Sequence, residues 1–316
     1  MQYTYKNTWN DKLNGLKEKH NVIAELCEGK KLAYIDIPMH FNVGDQLIYA
    51  GTEAFFKANN LNVIYRAFDK NVSLKKLDEC DVILLHGGGN FGDIYPQHQD
   101  LREKVLKHCK DKRVIQLPQT IHFSSQVELE KSAKVFKGHN DVHIFVRDTK
   151  SLDIAKEFTD NVGLMPDMAH SLHPIVDLRE VESTEIVDYK ILNLRRVDVE
   201  KVDVKTDISK PSFDWINIIT PWDVIHQSWI ERTHTLPMFS NRSINSWKHH
   251  SDSLVFRSIN HFSSFNVVYT DRLHGFILSY LLGKNIKLMD NSYGKNLGYY
   301  NEWIKDDALI EVIDNA

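Results

Sequence analysis

The densest group of chemically able side chains is Asp271-Arg272-Leu273-His274, which follows the apolar run FNVVYT and opens the apolar stretch GFILSYLLG. Arginine and histidine at the start of an apolar helix conflict with the helix macrodipole, whose N-terminal end is already positive. A bound anion resolves the conflict, because the helix end, Arg272 and His274 then favour one negative group. Arg195-Arg196 close the run YKILNL. Charge at the mouth of a buried strand asks for an anionic partner, and guanidinium forks match carboxylate and phosphate. The chemistry these residues suit is recognition of a phosphorylated, anionic ligand.

Similar groups close the apolar runs of the first half. Asn42, Gly44 and Asp45 follow KLAYIDI. They read either as a capped strand-to-helix turn or as a ligand loop, with Gly44 admitting backbone N–H groups and Asn42 or Asp45 touching a sugar hydroxyl. DVILLHG runs into Gly87-Gly88-Gly89-Asn90 and then Gly92-Asp93. That bare backbone can wrap an anion or a flat substrate, although it is neither a P-loop nor a dinucleotide turn. Gln119, Thr120 and His122 stand at the exit of RVIQLP; Arg147, Asp148 and Ser151 follow VHIFV; Asp167 and His170 follow NVGLMP. Taken singly, each has a bland explanation as a helix cap or a structural hydrogen-bonding group.

These positions gain meaning from the elements that carry them. In open α/β sheets, ligands bind beyond the carboxyl ends of the strands. Strands are expected at 31–37, 62–68, 81–87, 113–118, 142–147 and 161–166, then at 189–196, 214–219, 265–270 and 285–290. Their nearly continuous apolar character is that of parallel strands covered on both faces. Helices are expected at 45–59, 97–109, 126–137 and 148–158, then at 222–232, 251–262 and 273–282. An amphipathic helix is expected over 10–26. The charged stretch 177–188 reads as a linker, the polar stretch 200–211 as a surface loop, and 233–250 as a mobile loop with helical pieces.

The chain of 316 residues exceeds the usual single-core size, which predicts two domains of roughly 150 residues each. These are 1–176 and 189–316, joined by 177–188. Thirty-nine Lys and Arg against 43 Asp and Glu give a net charge of −4, which carries no global basic footprint for nucleic acid. Cys27, Cys80 and Cys109 are odd in number and widely spaced, so neither a disulfide framework nor a thiolate zinc site is expected. No metal-ligand motif appears. The polar start lacks a secretory core, no run spans a bilayer, and a cytoplasmic protein is expected.

In order, Asn42-Val43-Gly44-Asp45, the glycine loop Gly87–Asn90, Pro118-Gln119, Arg147-Asp148 with Ser151, Pro166-Asp167 with Ala169, and Arg272-Leu273-His274-Gly275 resemble the polysaccharide pyruvyltransferase family. The resemblance runs from about residue 31 to about residue 305 and is weakest across 197–264. It implies a GT-B-like fold, two Rossmann-type domains with parallel sheets facing a cleft, with the acceptor on the N-terminal side and the donor on the C-terminal side. The implied reaction moves the pyruvyl group of phosphoenolpyruvate onto two hydroxyls of one sugar, giving a cyclic ketal and inorganic phosphate in exopolysaccharide or cell-surface glycan synthesis. The donor is a co-substrate and no cofactor is implied.

Within that scheme Arg272, Leu273 and His274 belong to donor recognition and catalysis. Strand-end position adds Arg195, Arg196 and His122 to the donor contacts. His274 is the expected acid/base, with Asp45 and Asp167 as carboxylates that help activate the hydroxyls. Asn42, Gly44, Gly88, Gly89 and Asn90 line the cleft. The partners expected are phosphoenolpyruvate and a saccharide acceptor, lipid-linked or not, with peripheral membrane or glycan-assembly contact in the lipid-linked case. The same residues also suit a glycosyltransferase with a nucleotide-sugar donor, or a non-catalytic anion-binding component of a glycan assembly complex. Fold alone does not separate these readings.

Overall fold

The structure is a computed structural model that describes residues 2–176, 190–196, 211–236, 240–290 and 294–313. Its frame is a seven-stranded sheet and a four-stranded sheet, parallel throughout. The larger runs β2(Asn62–Phe68), β1(Lys31–Ile37), β3(Val82–Leu85), β5(Arg113–His122), β6(Val142–Val146), β7(Val162–Leu164), with β4(Gly88–Gly92) beside β5. The chain steps from β1 outward to β2, then returns to β3 on the other side. A crevice therefore opens between the carboxyl ends of β1 and β3, the switch point at which such sheets bind ligands. The smaller sheet runs β8(Ile191–Leu194), β9(Val267–Thr270), β10(Asn285–Leu288), β11(Ile310–Val312).

The helix Val43–Ala58 sits between the two sheets. Val43, Leu47 and Ala50 enter the core under the smaller sheet, among Leu192, Val268 and Phe276. Ile48, Tyr49 and Phe56 enter a core with Tyr34 and Leu84 of the larger one. A helix apolar on two faces must be covered on both, and its first turn is thereby fixed where the sheets meet. The first helix, Gln2–Glu18, packs with the smaller sheet: Trp9, Leu13 and Leu16 join that core, and Trp9 Nε1 donates to the Tyr280 carbonyl at 2.8 Å.

β1 and β2 match the expected 31–37 and 62–68, and the helix Gln126–Lys137 matches its expected span. Three expectations are corrected. The stretch 214–219 contains a 3-10 helix, Trp215–Ile218, because Asp214 caps it and Asn217 Oδ1 accepts from the Asp214 amide at 2.8 Å. The stretch 233–250 is not a loop with helical pieces: from Ser240 onward it belongs to one helix, Ser240–Ser263. Its buried face, Ser243, Ile244, Trp247, Ser251, Leu254, Val255, Ser258 and Phe262, keeps helical spacing, but serines occupy three of these eight positions and blur the apolar period. The glycine stretch is strand rather than loop, with Gly88 and Gly92 at φ +125° and +127°, a region that favours glycine. The expected linker 177–188, and the expected loop up to residue 210, lie outside the described residues. Among the described residues, no helix is long and apolar enough to cross a membrane.

Candidate active site

The two sheets open onto one cleft of about 320 Å³, to which the larger sheet brings Asp36, His86, Asn90 and Arg147 and the smaller Arg196, Arg272 and His274. Arg272 is the N-cap of the helix Leu273–Leu281, and its Nη2 donates to Asp214 Oδ2 at 2.5 Å. The charge conflict at this helix start is thus met in part by the chain's own carboxylate. Leu273 and His274, in the first turn, also line the cleft.

His274 Nε2 lies 3.3 Å from Asp167 Oδ2. The same oxygen accepts from Arg147 Nη1 at 2.5 Å, and Oδ1 accepts from the Ala169 amide at 2.9 Å. Asp167 is wholly buried. Burial alone would raise its carboxyl, but His274, then Arg147 and the Ala169 amide, hold it well below the usual carboxylate range. An ionised carboxylate only accepts, so His274 Nε2 carries the proton of that bond. A methyl group on Gly44 would overlap Nδ1. Gly44 therefore makes room for the histidine ring rather than for a ligand's approach to the backbone. Behind Asp167, its amide donates to Tyr299 Oη at 3.0 Å, and Trp303 Nε1 donates to the Arg147 carbonyl at 2.7 Å, which ties the helix Lys295–Trp303 to the site.

Asn42 caps the helix Val43–Ala58, accepting from the Gly44 amide at 3.1 Å, and its Nδ2 donates to Asp45 Oδ2 at 2.8 Å. Both side chains line the cleft, so the capping and the ligand-facing readings coexist. Gly89 and Asn90 also line it, while Gly88 lies beneath Asp45, where a Cβ would sit 3.5 Å from Oδ1. Asn90 Oδ1 accepts from Arg102 Nη2 at 2.5 Å and from Gln119 Nε2 at 2.8 Å; Arg102 is fully buried.

Other expected residues stand apart. Arg195 is not at the cleft: its Nε lies 3.4 Å from Asp271 Oδ2, an internal pair, while Arg196 faces the cleft. Burial raises Asp271, offset in part by the Arg196 amide, Arg195 and Arg272. His122 lines an adjoining cavity of about 270 Å³, which shares Gly89, Tyr95 and Lys295 with the cleft. Asp167 reaches the cleft only through His274 and Arg147, both of which line it.

Sequence reasoning passed over Asp36, His86, His98 and Lys295, all at the cleft. His86 Nδ1 pairs with Tyr34 Oη at 2.6 Å, and burial pushes the imidazole down to about 4. An acid inside the apolar run KLAYIDI and a histidine ending VILLH were signals available in the sequence. Among the described residues, no group of three or more His, Cys, Asp or Glu could hold a metal ion.

Comparison with known proteins bears on this cleft directly. The family model described as polysaccharide pyruvyl transferase matches residues 42–292, a span that begins at Asn42 and includes Arg272 and His274. EpsO of Bacillus subtilis (strain 168), described as a pyruvyl transferase, is 34% identical over 312 residues, covering 95% of this chain and 94% of its own. Pyruvyl transferase 1 of Schizosaccharomyces pombe (strain 972 / ATCC 24843) is 29% identical over 305 residues, covering 91% of this chain and 74% of its own. The crystal structure of a functionally uncharacterised protein from Klebsiella pneumoniae subsp. pneumoniae NTUH-K2044 superposes with a TM-score of 0.61 at 25% identity, over 95% of this chain and 98% of that one. With its matched span running from the capped turn at Asn42 through the histidine that rests on Asp167, the chain belongs to the polysaccharide pyruvyl transferase family.

Proposed function

We propose that the protein transfers the pyruvyl group of phosphoenolpyruvate to two hydroxyls of a saccharide, forming a cyclic ketal and releasing inorganic phosphate. In this reading the two parallel sheets belong to two Rossmann-type domains in a GT-B-like arrangement, with 177–188 as the linker. The enzyme works in the cytoplasm, in the synthesis of an exopolysaccharide or surface glycan. The observation that carries the reading is the seat of His274: one ring nitrogen is bound to a buried, ionised carboxylate, and the ring faces a cleft that also presents Arg147, Arg196 and Arg272.

Phosphoenolpyruvate carries a carboxylate and a phosphate, so it needs cations at two separated points. Arg272 with the start of its helix holds one group, and Arg196 with Arg147 the other, as bidentate guanidinium contacts allow. His274, charged and steadied by Asp167, gives its Nδ1 proton to the donor's methylene carbon, which becomes a methyl group. The neighbouring carbon turns oxocarbenium-like and is attacked by the first sugar hydroxyl. Phosphate then leaves with the electrons of the C–O bond, and the second hydroxyl closes the ring. Of the two hydroxyl protons, one resets His274 and the other leaves on phosphate. Asp45, at the cleft wall with Asn42, contacts the sugar hydroxyls. The scheme draws on no cofactor.

The test is turnover. Incubation of the protein with phosphoenolpyruvate and hexopyranoside acceptors should release phosphate and add a pyruvate ketal, visible by mass spectrometry as the pyruvyl increment on the sugar. Transfer of a sugar from a nucleotide donor, with phosphoenolpyruvate untouched, would contradict the reading.

A further inference from the structure

The cleft contains a second histidine seated on a second carboxylate, on the opposite wall from His274. His98 lies in the first turn of the helix Pro96–His108, and its Nδ1 pairs with Asp36 Oδ1 at 2.6 Å. The Asp36 side chain is wholly buried and that of His98 is 16% exposed. Both line the cleft. Asp36 Oδ2 faces Arg102 Nη2 at 3.6 Å, a buried guanidinium that matches the carboxylate's charge. A carboxylate accepts, so Nδ1 carries the proton and Nε2 is left as a bare acceptor. No hydrogen bond engages Nε2 among the described residues.

The backbone supports a working role for this pair. Asp36 has φ +65°, a left-handed conformation unusual for a residue other than glycine. The β1–β2 register slips between Tyr34 and Ile37, around it. A strand that could have continued in regular pairing is distorted at its carboxyl end, and the distortion seats a charged group under His98. Strain of this kind collects where geometry serves a site.

We propose that His98, oriented by Asp36, is the base that takes the proton of the first acceptor hydroxyl. The inference rests on the pyruvyl-transfer reading and assigns the acceptor side of that reaction. His98 Nε2 accepts the hydroxyl proton as the sugar oxygen bonds to the donor's central carbon, while His274 delivers its own proton to the methylene carbon. His98 then gives its proton to the departing phosphate, and the second hydroxyl's proton returns to His274. Both histidines regain their starting forms, and the two hydroxyl protons end on carbon and on phosphate. His98 is catalytic in this scheme and Asp36 is a positioning residue.

The experiment uses the full chain, phosphoenolpyruvate and a panel of p-nitrophenyl hexopyranosides. His98→Ala should lower kcat by about 100-fold or more, the usual share of a general base, leave the thermal shift caused by phosphoenolpyruvate intact, and regain part of its turnover on addition of imidazole. His98→Gln should show the same loss, whereas unchanged kcat in either variant, or a loss confined to the KM of the acceptor, overturns the proposal. Nitrogen-15 NMR of histidine-labelled protein reads the tautomer without any acceptor: a proton on Nδ1 with Nε2 bare supports the assignment, and a proton on Nε2 contradicts it. In Asp36→Asn that tautomer preference should weaken together with kcat. A wild-type protein whose melting point does not respond to phosphoenolpyruvate would instead remove the pyruvyl-transfer reading itself, and the NMR result would still stand apart from it.

Discussion

The cleft wall built by the larger sheet and the wall built by the smaller one hold their charges differently. On the first, Asp167, Arg147, Asn90 and Asp36 are tied into short hydrogen bonds behind the surface, and Asp167 and Arg147 are buried. On the second, Arg272 and His274 stand at the start of one helix with side chains 13% and 14% exposed, and Arg196 is also part-exposed. Groups locked on one wall can fix tautomers and orientation, while part-exposed cations on the other can exchange an internal partner such as Asp214 for a ligand. The two walls meet at the contact between His274 and Asp167. Substitutions of the buried ion pairs on the first wall should therefore cost stability as well as function, and those on the second should cost function with little loss of stability.

The largest expected effect is Asp167→Asn. It leaves the buried guanidinium of Arg147 without its carboxylate, and removal of one partner of such a pair costs about 3–5 kcal/mol. Chemical denaturation should show that loss, and turnover should fall with it. His274→Ala sharpens the contrast: kcat should drop by about 10²–10⁴-fold, the range for a general acid or base, with little change in melting temperature. A folded His274→Ala protein with full activity would remove this residue from the mechanism.

Next in size is the acid response of the locked groups. Burial pushes His20 and His86 down to about 4 and His170 to about 3. An unfolded histidine titrates near 6.5, so below about that pH the unfolded chain binds protons that the folded one refuses. Their stability contribution is complete above about pH 6.5 and declines by about 1.4 kcal/mol per pH unit for each histidine, until the folded values are reached. The depressed Asp167 acts in the same direction lower down: its contribution is complete above about 3.9 and is lost as pH falls further. Urea unfolding between about pH 7 and 4 should trace this decline, and His170→Gln should shed one histidine's share of the slope. Gly44→Ala sits at the join. Its methyl group overlaps the His274 ring, overpacking that costs about 1–3 kcal/mol, and kcat should suffer more than the KM for phosphoenolpyruvate.

The division between the walls also marks what the sequence disclosed. Strands β1 and β2 and the helix starting at Gln126 were legible because apolar runs and caps are local signals. The second wall was legible for the same reason, since Arg272 and His274 announce themselves against an apolar helix. The first wall was not, because its pairs join residues far apart in sequence: His98 to Asp36, and Arg147 and His274 to Asp167. Asp167 could be named from its strand exit, but not its burial behind His274. Arg195 and Arg196 were indistinguishable as neighbours, and the alternation of side chains along the chain sent one to Asp271 and the other to the cleft. The helix Ser240–Ser263 was hidden by the serines on its buried face.

The central claim is that the part-exposed cations of the second wall, with Arg147, hold the anionic donor, and Arg272 tests it most directly. A ligand that binds only the folded state raises the melting temperature by mass action, so the measurement needs no acceptor. Thermal shift should respond to phosphoenolpyruvate and not to nucleoside diphosphates, and the response should vanish in Arg272→Ala while the protein stays folded. A shift with the nucleotides alone, or a phosphoenolpyruvate shift unchanged in Arg272→Ala, would contradict the account.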